Sequence, residues 1–208
     1  MIGQDSRWQV SVTEPRLGII VPAAGGSRRL GQPKQLLINA GESLIRRMVR
    51  LAAGLRPRQL VVVTGASHEE VSAEIDDLPA RVVHHPGWES GMGSSMAAGA
   101  GALDSDLDGI MILLCDQWRI GEEELKRLQM QWRKDPARIA AARWNDTFGP
   151  PVIFPANLLS EIRALDGDRG AHAIIKRQGA RTRFVEIHNA EFDLDTPDDF
   201  CVLQKEFS

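Results

Sequence analysis

The chain has 208 residues, 43% of them hydrophobic and 25% charged, which suits one globular domain with a substantial core. A formal net charge of −3 supplies no global basic field, which argues against a general nucleic-acid binder and makes any anion site a local one. The two cysteines, Cys115 and Cys201, are far apart and outside any CxxC pattern, so a reducing compartment and no structural zinc are expected. The N-terminal stretch has no apolar signal core and no segment approaches bilayer-spanning length, so the expectation is a cytoplasmic protein without a membrane partner.

In chain order, residues 1–15 are expected to form an N-terminal extension and 16–208 a single domain. The apolar run at 17–23 predicts a strand that feeds directly into "AGGSRRLGQPK", a loop rich in backbone N–H groups and positive charge. Helix-period and strand-like segments then alternate. Helices are expected at 41–55, 67–78, 93–103 and 121–135, with Ser43 and Ser67 near two of the N-termini. Strands are expected at 59–65, 80–85, 109–116 and 138–144. The last third reads as "PPVIFP", two short helices over 156–165 and 170–179, a strand at 182–187, and a final helix from Thr196. This pattern gives an α/β fold, a mostly parallel, Rossmann-like twisted sheet between two layers of helices. In such sheets ligands bind beyond the carboxyl ends of the strands, where residues 22–34, 91–95 and 115–118 would meet in one cleft.

Neither common phosphate motif is present. A Walker A loop would need Lys and Ser/Thr where Gln32 and Pro33 stand, and "GMGSSM" has Met96 in place of the third Rossmann glycine. What remains is a turn at Gly25 and Gly26 followed by Arg28, Arg29 and Lys34. Glycines let the backbone approach a polyphosphate and aim N–H groups at it, while the cations neutralise the remaining charge. A solvated basic loop is the plain alternative. Asp116, after the apolar run at 109–115, should emerge beside that loop, as a magnesium ligand or as a turn former. "FDLDTPDDF" alternates Asp193 and Asp195 with apolar residues, so on a strand both carboxylates would share a face. His84 and His85 lack ligand spacing and read as structural, and Cys115 reads as a small buried hydrophobe.

"PAAGGSRRLGQPKQLL", "GMGSSMAAG", "LLCDQ", "GPPVIFP" with "GDRGAH", and "DLDTPDD" occur in that order between residues 22 and 199. Together they resemble the nucleotidyltransferases that mature the molybdenum cofactor, especially the cytidylyltransferases. The resemblance implies transfer of CMP from CTP to the terminal phosphate of molybdopterin, with Mg2+ as cofactor and a molybdenum hydroxylase or its chaperone as a possible partner. It implies that amides of Ala23, Ala24, Gly25, Gly26 and Ser27, with Arg29, hold the triphosphate, and that Lys34 acts at the α-phosphate. Asp116 and Asp195 would hold the metal. Gly93, Ser94 and Ser95, at a helix entry with free amides, and Gly167, Asp168 and Gly170 would face the acceptor, although small helix residues and a plain turn would serve packing equally well. Asp198 and Asp199 read as first-turn charges of the last helix. Ala24, where guanylyltransferases usually carry glycine, favours CTP. Three residues depart from the family pattern: Pro22 for Leu, Trp118 for Pro and His172 for Arg. Trp118 would either stack on a pterin or cap the sheet edge. A transferase of the same fold that uses GTP or a sugar or polyol phosphate acceptor, and a non-catalytic cofactor carrier, remain as alternatives.

Overall fold

The computed structural model describes residues 14–206, so most of the expected N-terminal extension lies outside the described residues. Its strands are β1 (Leu17–Ala23), β2 (Ile38–Asn39), β3 (Glu42–Ser43), β4 (Gln59–Thr64), β5 (Arg81–His84), β6 (Gly109–Ile112), β7 (Ile139–Trp144), β8 (Thr147–Pro155) and β9 (Thr182–Glu186). Seven of them form one sheet in the order β5-β4-β1-β6-β8-β7-β9, while β2 and β3 make a two-residue hairpin apart from it. Pairing is parallel except along β8, which runs against both β6 and β7. The β7–β8 connection turns on Asn145, held at φ 48, a left-handed geometry that Asn tolerates better than most residues.

The apolar runs alternate between two helix layers, as a strand's two-residue period requires. Ile19 and Val21 of β1, Val62 of β4, Met111 of β6 and Ala142 of β7 pack on one side. They meet Ile45 and Met48 of α1 (Leu44–Gly54), Val71 of α2 (His68–Glu74), and Leu125 and Trp132 of α4 (Glu122–Arg133). Ile20, Val61, Ile112 and Ala141 point the other way. Their partners are Met96 and Ala100 of α3 (Met92–Gly101), Ile162 of α5 (Leu159–Arg163) and Ile174 of α6 (Ala171–Gln178). Helix α3 sits close on the sheet because Gly99 faces Ile20: a Cβ there would lie 2.5 Å from the Ile20 Cγ2.

Some elements differ from the sequence reading. Residues 41–43 belong to the β2–β3 hairpin, so α1 starts at Leu44, with the Ser43 Oγ accepting from the Arg46 amide at 3.2 Å as an N-cap. Ser67 occupies the corresponding position before α2 without a side-chain cap bond. Strand β6 stops at Ile112, since its antiparallel pairing with β8 ends at Val152. Residues 192–195 are irregular, not a strand. The last helix, α7 (Pro197–Glu206), begins with a reciprocal cap: the Thr196 Oγ1 accepts from the Asp199 amide, and the Asp199 carboxylate accepts from the amides of Asp195 and Thr196. Leu203 of α7 closes a small cluster with Leu37, Leu44, Trp118 and Leu194. Trp118 is buried there, at 2% exposure. Among the described residues, no helix is long and apolar enough to cross a membrane.

Candidate active site

The carboxyl ends of β1 and β6 open into a cavity of about 450 Å³. The loop after β1 is folded on itself. Ser27 adopts φ 48, its carbonyl accepts from the amides of Leu30 and Gly31, and its Oγ accepts from the Lys34 amide at 3.1 Å. Those bonds start a short 3-10 turn at Lys34 and deliver its side chain into the cavity. The Lys34 Nζ lies 2.5 Å from the Asp116 Oδ2 and 2.9 Å from the Asp195 Oδ1, while the Arg29 guanidinium holds the Asp195 Oδ2 at 2.8 Å. Residues separated by up to 166 positions thus form one charged cluster.

Burial works against the Lys34 ammonium, but Asp116 and Asp195 outweigh it and hold its pKa well above the ordinary lysine value. Burial likewise raises Asp195, yet Lys34 and Arg29 prevail and its carboxyl stays below the usual range. Asp193, in contrast, is pushed up to about 7, by burial first and then by the Asp116 and Asp195 charges. Burial drives the Cys115 thiol to about 12, which leaves it protonated and unsuited to nucleophilic work.

Ala23, Ala24, Gly25, Gly26, Ser27, Arg29, Lys34, Asp116 and Asp195 all line the cavity. Of the residues expected to face an acceptor, Ser95 and Asp168 line the cavity, whereas Gly93, Ser94, Gly167 and Gly170 do not. Gly93, Gly167 and Gly170 join the 166–170 loop to the entry of α3. The Gly93 amide donates to the Gly167 carbonyl at 2.8 Å, so it is not the free donor expected from the sequence. Ser94 donates to the Gly91 carbonyl and pairs with the His85 Nε2 at 3.0 Å. Gly170 packs beside Met92 and Met96. Gly91 has φ 115, and a Cβ on it would lie 2.5 Å from the Gly167 backbone, so glycine is required for the loop to dock. His84 stacks on His68 at 4.1 Å, and His172 on Phe148 at 4.5 Å, outside the cavity lining.

The apolar wall, Trp88, Met92 and Leu114, was not singled out in the sequence. Its signal is steric and appears only in three dimensions: a Cβ on Gly65 would lie 2.6 Å from the Ala24 carbonyl oxygen and 2.7 Å from the Trp88 Cγ. Gly65→Ala is therefore expected to displace Trp88 and the loop together, lowering stability by about 1–2 kcal/mol in denaturant unfolding.

A doubly wound sheet with a glycine-rich, basic loop after β1 and carboxylates beyond β6 has the fold of the Rossmann-like nucleotidyltransferases. A solved structure of Rv0371c from Mycobacterium tuberculosis superposes with a TM-score of 0.80 at 26% identity, covering 93% of this chain and 99% of that one. The model of the MobA-like NTP transferase domain matches residues 19–182, and the chain belongs to that family. Nicotine blue oxidoreductase of Paenarthrobacter nicotinovorans is 30% identical over 168 residues, 76% of this chain and 81% of that protein. The purine catabolism protein PucB of Bacillus subtilis is 29% identical over 202 residues, 89% and 95% of the two chains.

Proposed function

We propose that this nucleotidyltransferase moves CMP from CTP to the terminal phosphate of molybdopterin bearing molybdenum, releasing pyrophosphate. The observation that carries the reading is the Lys34 ammonium shared by Asp116 and Asp195 beside a loop of main-chain amides. A pure carrier of the cofactor has no need of such a site.

Divalent-metal chemistry fits the donors present. Asp116 is 7% exposed and its Oδ1 has no hydrogen-bond partner, although it lies beside a polar cavity. Among the described residues no group of three or more His, Cys, Asp or Glu side chains is arranged to hold a metal. Two carboxylates with substrate phosphates suffice for Mg2+, which retains waters and takes few protein ligands. Asp116 and Asp195 would hold it, and when bound it would offset charge on the reacting phosphates. A second structure of the M. tuberculosis relative was solved in complex with manganese.

The chain's own residues do the rest. Amides from Ala24 to Ser27, with Arg29, bind the β- and γ-phosphates, and Lys34 stabilises charge developing on the α-phosphate. The acceptor's phosphate oxygen attacks the α-phosphorus, a new P–O bond forms, and the bond to the β-phosphate breaks. A dianionic phosphate needs no protein nucleophile. Ser95 and Asp168, which line the cavity, would face the acceptor.

The test is a pyrophosphate-release assay with purified molybdopterin and each of the four triphosphates, in which only CTP is expected to turn over efficiently. Oxidation or reduction of nicotine blue without pyrophosphate release would point to the activity named for the Paenarthrobacter relative. Magnesium with CTP is expected to raise the melting temperature more than magnesium with GTP, a tenfold preference being worth about 1.4 kcal/mol at saturation. Equal shifts would remove the case for cytidine.

A further inference from the structure

Two glutamines occupy matching places in this site. Gln35 directly follows Lys34, and Gln117 directly follows Asp116. Both are almost completely buried, at 2% and 1% exposure. Each uses its carboxamide nitrogen on two main-chain carbonyls from separate segments. The Gln35 Nε2 donates to the Ala23 carbonyl at 3.0 Å and the Gly25 carbonyl at 2.8 Å, bridging the end of β1 and the glycine turn. The Gln117 Nε2 donates to the Pro150 and Ala190 carbonyls, both at 2.9 Å, joining β8 to the segment that leads to Asp195. In both, the Oε1 is buried without a partner. Acceptors on the nitrogen side fix the amide orientation, and the cost of the orphaned oxygen is accepted for it.

We infer that Gln35 and Gln117 are a matched pair of positioning residues, one setting the triphosphate-binding loop relative to Lys34, the other setting Asp195 relative to Asp116. The inference rests on the nucleotidyltransferase reading for its kinetic consequence but not for its structural one. A side chain that bridges two carbonyls must donate twice, which neither Glu in its ionised form nor any apolar residue can do. The Asp116 carbonyl adds a second tie on the same side, accepting from the Leu194 amide at 3.1 Å. Gln117 therefore works with the main chain to fix the two acids, while Gln35 works with the Ser27 Oγ, which accepts from the Lys34 amide at 3.1 Å.

The experiment is Gln→Met at each position, which keeps the unbranched shape and removes both donors, read by hydrogen–deuterium exchange and by steady-state kinetics. Gln35→Met is expected to raise amide exchange in residues 24–31 at least tenfold and to raise the KM for CTP about tenfold with kcat within threefold. Gln117→Met is expected to raise exchange in residues 188–196 and to lower kcat at least tenfold with little change in KM. Exchange that rises throughout the chain, or kinetics that fall identically in both variants, overturns the proposal in favour of plain core packing. Should either variant not fold, the wild-type protein decides: the side-chain amide protons of both glutamines must be protected from solvent exchange, and rapid exchange overturns the proposal. A wild type that turns over no triphosphate defeats the functional reading, while the exchange data still decide the positioning role.

Discussion

Asp116→Asn is expected to lower pyrophosphate release by at least about a thousandfold while leaving the fold in place. The carboxylate's structural duties are few. Its main-chain carbonyl, which accepts from the amides of Trp118 and Leu194, is untouched by the change. Asn fills the same volume, and its amide oxygen still accepts from the Lys34 ammonium. What disappears is one negative charge among three neighbouring acids, on a carboxylate whose Oδ1 is buried without a hydrogen-bond partner. Lys34 keeps its contact with Asp195, so the site retains a cation but loses the anion that would complete the proposed metal donor set. Turnover close to wild type, with a normal circular dichroism spectrum, would remove Asp116 from the metal role. The substitution separates chemistry from binding because the Asp116 side chain bonds Lys34 and not the loop amides of residues 24–27, so CTP affinity measured without metal should change little.

The parts of this molecule that the sequence revealed are those governed by local patterning. Strand β1 was bounded correctly because Leu17–Ala23 is apolar throughout and stops at a glycine turn. The cap of α1 was readable because Ser43 supplies an acceptor one residue before the helix. The antiparallel course of β8 was not readable, since nothing in "TFGPPVIFP" distinguishes the direction in which a buried strand is inserted. The alternation of Asp193 and Asp195 suggested a shared strand face, but 192–195 is irregular, anchored by the Leu194 amide on the Asp116 carbonyl. That long-range bond sets Asp195 near Lys34 and cannot be inferred from spacing. The burial of Trp118 is hidden from the sequence for the same reason: it depends on α7, which returns from the far end of the chain to cover it. Gly93 was read as a free helix-entry donor because its partner, the Gly167 carbonyl, comes from a loop more than seventy residues later.

Asp193 should make the protein more stable at pH 5 than at pH 8, and Asp193→Asn should abolish most of that difference. In the folded state its carboxyl titrates at about 7 against an ordinary value of 3.8. Over that interval the folded chain binds a proton that the unfolded chain has released, so stability rises as pH falls through 7 and levels off near 4. Between pH 8 and pH 5 the shift corresponds to about 2–3 kcal/mol. Asp195 and Asp199 act with the opposite sign, since both are held below the ordinary value and lose their contribution only as pH falls beneath it. Their window does not overlap the one assigned to Asp193. Urea unfolding of wild type and Asp193→Asn at pH 5, 6.5 and 8 isolates the effect, because groups common to both chains cancel in the difference. The variant should be the more stable of the two at pH 8, with the gap closing towards pH 5; a gap that stays constant across the series would show that Asp193 is ionised in the folded protein throughout. Because the Asp116 charge contributes to the raised value, Asp116→Asn should shift the midpoint of this pH dependence downwards, so the two substitutions test the same cluster from opposite sides.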